Sequence, residues 1–161
     1  MLKVAVAQFN ATVGDLAGNV ARIAALAAEA RAAGAQVLLT PELSLCGYPP
    51  EDLLLRPDFY RACDAALDDL AAHSQGIALV IGHPEESGGR RFNAATVIEN
   101  GRRRAIYRKM RLPNYEVFDE KRYFEAGDVP CVVTMGGVRC GLNICADVWE
   151  AGAAEMAHAA G

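Results

Sequence analysis

A chain of 161 residues with 52% hydrophobic content can bury one substantial core and hardly two, so a single globular unit is expected. Sixteen basic against twenty acidic residues give a formal net charge of −4, which argues against general affinity for nucleic acid or an anionic membrane and favours small neutral or zwitterionic substrates. No stretch approaches a membrane span, MLKVAVAQFN lacks the apolar core and cleavage site of a secretory signal, and five cysteines without a C-x-x-C pair or clustered histidines point to a reducing, cytoplasmic compartment with neither a disulfide framework nor a zinc site.

Strand-like and helix-like segments alternate along the chain. Leu2 to Phe9 alternates as a strand, and an alanine-rich helix follows from about Asn19 to Ala33, closing at Gly34. Gln36 to Leu39 reads as a short buried strand that stops at Thr40-Pro41, because proline restricts its predecessor and cannot donate to a ladder. A second helix is expected from Asp58 to His73, with Phe59, Cys63, Leu67 and Leu70 on one stripe. Ile77 to Gly82 is the next strand, and FNAATVIENGRRRAIYRK reads as a hairpin turning at Asn100-Gly101. After a loop carrying LPNYEVFDEKRYF, a last pair, Cys131 to Met135 and Val138 to Ile144, turns at Gly136-Gly137 and delivers Cys145. This rhythm gives an α/β fold, a layered sheet covered by helices, with no internal repeat or linker.

Three of these segments place a different reactive side chain just past an apolar run: Glu42 in TPELSLCGYPPEDLL, Lys109 in AIYRKMRLPNY and Cys145 in CGLNICADVW. Residues just beyond the C-terminal ends of parallel strands share one rim of the sheet, where active sites commonly form. A thiol, a carboxylate and an ammonium gathered there can open a carboxamide: the thiol attacks, the carboxylate moves protons and the ammonium steadies the oxyanion. Asp147 is placed to open a helix behind Cys145, whose free amides would lower the thiol pKa. Each residue also has a plainer reading: Cys145 as a small buried hydrophobe like Cys63, Cys131 and Cys140, Glu42 as a helix cap or loop acid, and Lys109 as one of the basic strip from Arg102 to Arg111. A separate catalytic reading pairs Cys145 with His83, which follows a strand in IALVIGHPEE; the plainer reading of His83 is a turn residue before Pro84.

The strings GYPPEDLLLRPDF and KMRLPNYEVFDEKRYF, with Glu42, Lys109 and Cys145 at their family positions, resemble the nitrilase, or carbon-nitrogen hydrolase, superfamily over nearly the whole chain. Within it they are most similar to the N-terminal glutaminase domains of glutamine-dependent NAD synthetases. The resemblance implies a layered α-β-β-α sandwich, of which residues 1–161 would form the N-terminal portion. It also implies glutamine hydrolysis through a Cys145 thioester, with Glu42 as base and then acid, and Lys109 and the Ala146 amide as oxyanion donors. Tyr115 would contact the glutamine, and Glu120 would support the lysine. No cofactor is implied for the amidase step; ATP and magnesium would belong to a synthetase domain, the partner that receives the ammonia, in a homo-oligomeric full-length protein.

Two departures from the family pattern qualify the resemblance. Ala146 stands where the family often has glutamate, which removes a side-chain contact to the substrate amine but keeps the backbone donor. Gly161 follows the nucleophile closely, whereas family domains continue through further strands and helices, so the resemblance implies a truncated domain with uncovered apolar surface and little activity alone. Another small-amide hydrolase and a non-catalytic interaction module stay open beside the glutaminase reading.

Overall fold

Strands β1 (Val4–Val6), β2 (Val37–Leu39) and β3 (Ala78–Ser87) pair in parallel, and the hairpin of β4 (Arg90–Glu99) and β5 (Arg102–Arg108) extends the sheet antiparallel in the order β1-β2-β3-β4-β5. This is the arrangement in the computed structural model, which describes residues 1–161. The parallel pairs require crossovers, and two helices supply them: α1 (Leu16–Ala32) between β1 and β2, and α2 (Pro57–Ala71) between β2 and β3. Asp15 caps α1 by accepting from the Gly18 amide at 3.0 Å, and Pro57 opens α2 where its missing N–H costs no helical bond. α1 begins three residues and α2 one residue earlier than hydrophobic periodicity suggests, because caps and not the apolar stripe set the start.

Side-chain alternation divides the sheet into two faces. Leu79, Ile81 and Ile98 point to the helices and join Ile23, Leu67 and Leu70 in the larger core. Ala78, Val80, Ala95, Val97 and Tyr107 point the other way, onto a second sheet made of β6 (Val132–Met135) and β7 (Val138–Gly141). The short helix α3 (Ala153–Ala159) packs outside β7; a Cβ on Gly141 would meet Ala157 at 3.0 Å. The layers therefore run helix, sheet, sheet, helix, as the α-β-β-α expectation required.

Three boundaries differ from the sequence reading. β1 keeps only three paired residues, and its Val4 and Val6, with Leu39 of β2, remain exposed at 47%, 70% and 41% on the face toward the second sheet. β3 runs five residues past Gly82, because β4 pairs with it up to Ser87. β2 ends opposite Val80, so Pro84 lies where β3 has a neighbour on one side only and a missing donor is tolerated. β7 stops at Gly141, three residues short of the expected end. No helix is long and apolar enough to cross a membrane.

Candidate active site

Topology explains why Glu42 and Lys109 meet. β5 is antiparallel to β4, which is antiparallel to β3, so the C-terminal end of β5 lies on the same rim as that of β2. Thr40 terminates β2 and anchors the turn that follows: its amide donates to Val80 O at 3.0 Å, and its hydroxyl accepts from Ser44 at 2.7 Å. The turn lies directly on Gly82, where a Cβ would come within 2.5 Å of the Pro41 carbonyl oxygen. Only glycine lets the Glu42 turn fold down onto β3.

Lys109 continues the register of Ala105 and Tyr107 and so faces the second sheet; its amide donates to Asn93 O at 2.8 Å. Its side chain has no solvent exposure, and its Nζ donates to Glu42 Oε1 at 2.7 Å and to Glu120 Oε1 at 2.6 Å. Asn93 Nδ2 donates to the same Glu42 oxygen at 2.6 Å and to Glu120 Oε2 at 3.3 Å. Burial alone would lower the Lys109 pKa, but the two carboxylates outweigh it and hold the ammonium above the ordinary lysine value. For Glu120 burial prevails over the lysine, and its carboxyl lies above the usual carboxylate range.

Cys145 opens a short 3-10 turn, Cys145–Val148, with φ at +46°, a left-handed conformation that few non-glycine residues adopt. Burial raises its thiol pKa and the neighbouring Glu42 carboxylate raises it further, while Lys109 and the Ala146 amide act in the opposite direction. The structure thus brings Glu42, Lys109 and Cys145 into one cluster, with Glu120 completing the enclosure of the lysine. The resting thiol is protonated and stands beside a carboxylate able to receive its proton.

Tyr115 is 53% exposed and stands edge-to-face with Phe118 at 5.8 Å. Phe118 in turn contacts Trp149 at 6.1 Å, and Tyr115, Trp149 and Ala146 border a cavity of about 440 Å³. Tyr48, Phe118 and Glu120 border a second of about 380 Å³.

Several expectations are corrected. His83 is neither a turn residue nor a partner of Cys145: it lies inside β3 on the helix-side face, its ring nitrogen 2.7 Å from Thr96 Oγ1, in a groove with Tyr60, Asp64 and Asp68 of α2. The sheet separates it from Cys145, and burial lowers its pKa to about 4. Asp147 does not open a helix. It is the third residue of the 3-10 turn, fully buried, and reaches back to accept from the Ile144 amide at 2.9 Å. Cys131 and Cys140 are half-buried, unlike the fully buried Cys46 and Cys63. Asn93 escaped the sequence reading; its signal was a lone amide in the apolar run FNAATVI, on the parity of Ala95 and Val97.

The sequence matches the carbon-nitrogen hydrolase family model over residues 3–160. A glutamine-dependent NAD(+) synthetase of Xanthomonas campestris is 49% identical over 154 residues, which cover 93% of this chain and 28% of that protein. Among solved structures, the glutamine-dependent NAD+ synthetase of Acinetobacter baumannii superposes with a TM-score of 0.90 at 35% identity, over 96% of this chain and 29% of the other. A mutant amidase of the nitrilase superfamily from Nesterenkonia AN1 superposes with a TM-score of 0.86 at 31% identity, over 99% and 62%. Another structure of that amidase shows Michael addition of acrylamide at its active-site cysteine. The chain spans 26–29% of the length of the NAD synthetase relatives it matches.

Proposed function

From the premise that this chain belongs to the carbon-nitrogen hydrolase family, we propose that it is the glutamine-hydrolysing part of a glutamine-dependent NAD synthetase and that Glu42, Lys109 and Cys145 carry the reaction. The observation that carries this reading is the fully buried Lys109 ammonium held between Glu42 and Glu120 beside the Cys145 turn. An ammonium fixed in this way is preorganised, so it needs no rearrangement when negative charge develops in front of it.

Glu42 takes the thiol proton as Sγ attacks the side-chain amide carbon of glutamine. The carbonyl electrons move onto oxygen, where Lys109 and the Ala146 amide receive them. When the tetrahedral species collapses, the carbon–nitrogen bond breaks, Glu42 returns its proton to nitrogen and ammonia leaves. Glu42 then deprotonates a water that attacks the thioester carbon, and glutamate and the free thiol are released. Glu120 and Asn93 hold Lys109 and Glu42 in register. Tyr115 lines, with Ala146, the cavity that a glutamine would enter. This chemistry runs on side chains and backbone; ATP and magnesium would act in a synthetase partner that consumes the ammonia, in a cytoplasmic, homo-oligomeric protein.

A different small-amide hydrolase is the second reading, favoured by the likeness to the Nesterenkonia amidase and by Ala146, which offers no side-chain contact to a substrate amine. Ammonia release by the domain within a full-length synthetase tests both readings. Cys145→Ala should abolish release from L-glutamine, and Cys140→Ala should leave most of it. Equal loss from the two substitutions would overturn the assignment of Cys145, and turnover of simple amides but not of glutamine would favour the second reading.

A further inference from the structure

One carboxylate joins the two halves of this site. Asp147 is fully buried and has no cationic partner among its contacts; instead it accepts four hydrogen bonds. Oδ2 accepts from the Ile144 amide at 2.9 Å, one residue before Cys145, and from the Tyr107 hydroxyl at 2.7 Å, two residues before Lys109. Oδ1 accepts from the Met110 amide at 3.0 Å and the Arg111 amide at 2.8 Å, just after Lys109. The carboxylate therefore grips the chain on both sides of the lysine and at the approach to the cysteine. Lys109 and Cys145 ride on different sheets, and no strand pairing links those sheets.

We infer that Asp147 is a positioning residue that fixes the spacing between Lys109 and Cys145. The geometry suits the task. A carboxylate has about four lone-pair sites, and here each oxygen takes two donors, so its orientation is fully determined. Burial and the bond to Asp147 both raise the Tyr107 pKa, which keeps that hydroxyl a donor. Asparagine cannot substitute, because its NH2 would face the Ile144 or Met110 and Arg111 amides, donor against donor. The inference rests on the proposed roles of Cys145 and Lys109 and extends them to a residue that touches neither reacting group.

The test is the rate at which iodoacetamide alkylates Cys145 at pH 7, read by peptide mass spectrometry on this chain, with circular dichroism reporting folding. Asp147→Asn should slow alkylation roughly tenfold or more, the scale on which a displaced reactive group loses rate. Made in a Lys109→Met background, the same change should cost less than about twofold, because the spacing no longer matters once the ammonium is gone. A purely structural role predicts an equal factor in both backgrounds, and that result, or an unchanged rate, would overturn the inference. Should Asp147→Asn fail to fold, Tyr107→Phe decides, since it keeps the carboxylate and its three backbone bonds. It should slow alkylation severalfold in the parent and not in the Lys109→Met background; an unchanged rate overturns the proposal. Glutamine hydrolysis retained by Cys145→Ala in the full-length protein would overturn the nucleophile assignment and this inference with it, whereas loss of hydrolysis together with equal alkylation factors sinks the inference alone.

Discussion

Lys109 carries a charge with no contact to solvent, which is tolerable only because Glu42 and Glu120 surround it. That enclosure makes the lysine both a chemical and a structural residue, and one substitution should reveal both. Lys109→Met is expected to lower turnover on the order of a hundredfold or more, the loss typical of one oxyanion donor. It should also lower stability by about 3–5 kcal/mol at neutral pH, because two carboxylates are left facing each other without a cation. Rate measurements and urea unfolding check the two effects separately; a variant of unchanged stability would show that the enclosure contributes nothing to the fold. Glu42→Gln should remove turnover, since an amide can neither take the thiol proton nor return it to nitrogen, whereas His83→Ala should retain it in the folded protein. A dead His83→Ala beside an active Glu42→Gln would mean that the proton-transfer assignment is wrong.

The strands decide which residues can take part, and here the sequence was legible to different depths. The positions of Glu42 and Lys109 beyond strand ends were readable, because a period of two and a proline stop mark where each strand finishes. The exclusion of His83 was not. It required knowing that β3 continues through Pro84 and that Gly82, not His83, faces the Glu42 turn, which follows from pairing with β4 and not from any local signal. Asp147 was misread for a similar reason: its four donors come from β5, the segment after it and the nucleophile turn, so the sequence alone shows only an acid just after the nucleophile. Burial gives His83 a pH signature of its own. Its folded pKa lies near 4, below the ordinary 6.5, so the unfolded chain binds the extra proton and stability is lost as pH falls from about 6.5 toward 4. The loss attributable to this group approaches about 3 kcal/mol at the acid end, from 1.36 kcal/mol per pH unit. Urea unfolding of the parent and of His83→Gln across that range should show the steeper slope in the parent, and parallel slopes would remove the histidine from the account.

At the scale of the whole molecule, the site is assembled across a boundary between unequal parts. Glu42, Lys109 and Asn93 stand on or beside a five-stranded sheet backed by α1 and α2 and a core of twenty buried residues. Cys145 follows a two-stranded sheet whose shared core with the large sheet holds nine. A two-stranded pair is marginal by itself and depends on what it packs against, so β6, β7 and α3 are expected to open at lower free energy than β3 and β4. Hydrogen exchange under native conditions should find the slowest amides in β3 and β4 and distinctly faster exchange in β6 and β7. Urea well below the global midpoint should accelerate exchange in β6 and β7 while β3 and β4 stay protected, and in the same range the rate at which iodoacetamide alkylates Cys145 should change. Uniform protection across both sheets, with the Cys145 alkylation rate changing only at global unfolding, would show that Asp147 and the shared apolar layer weld the two parts into one cooperative unit.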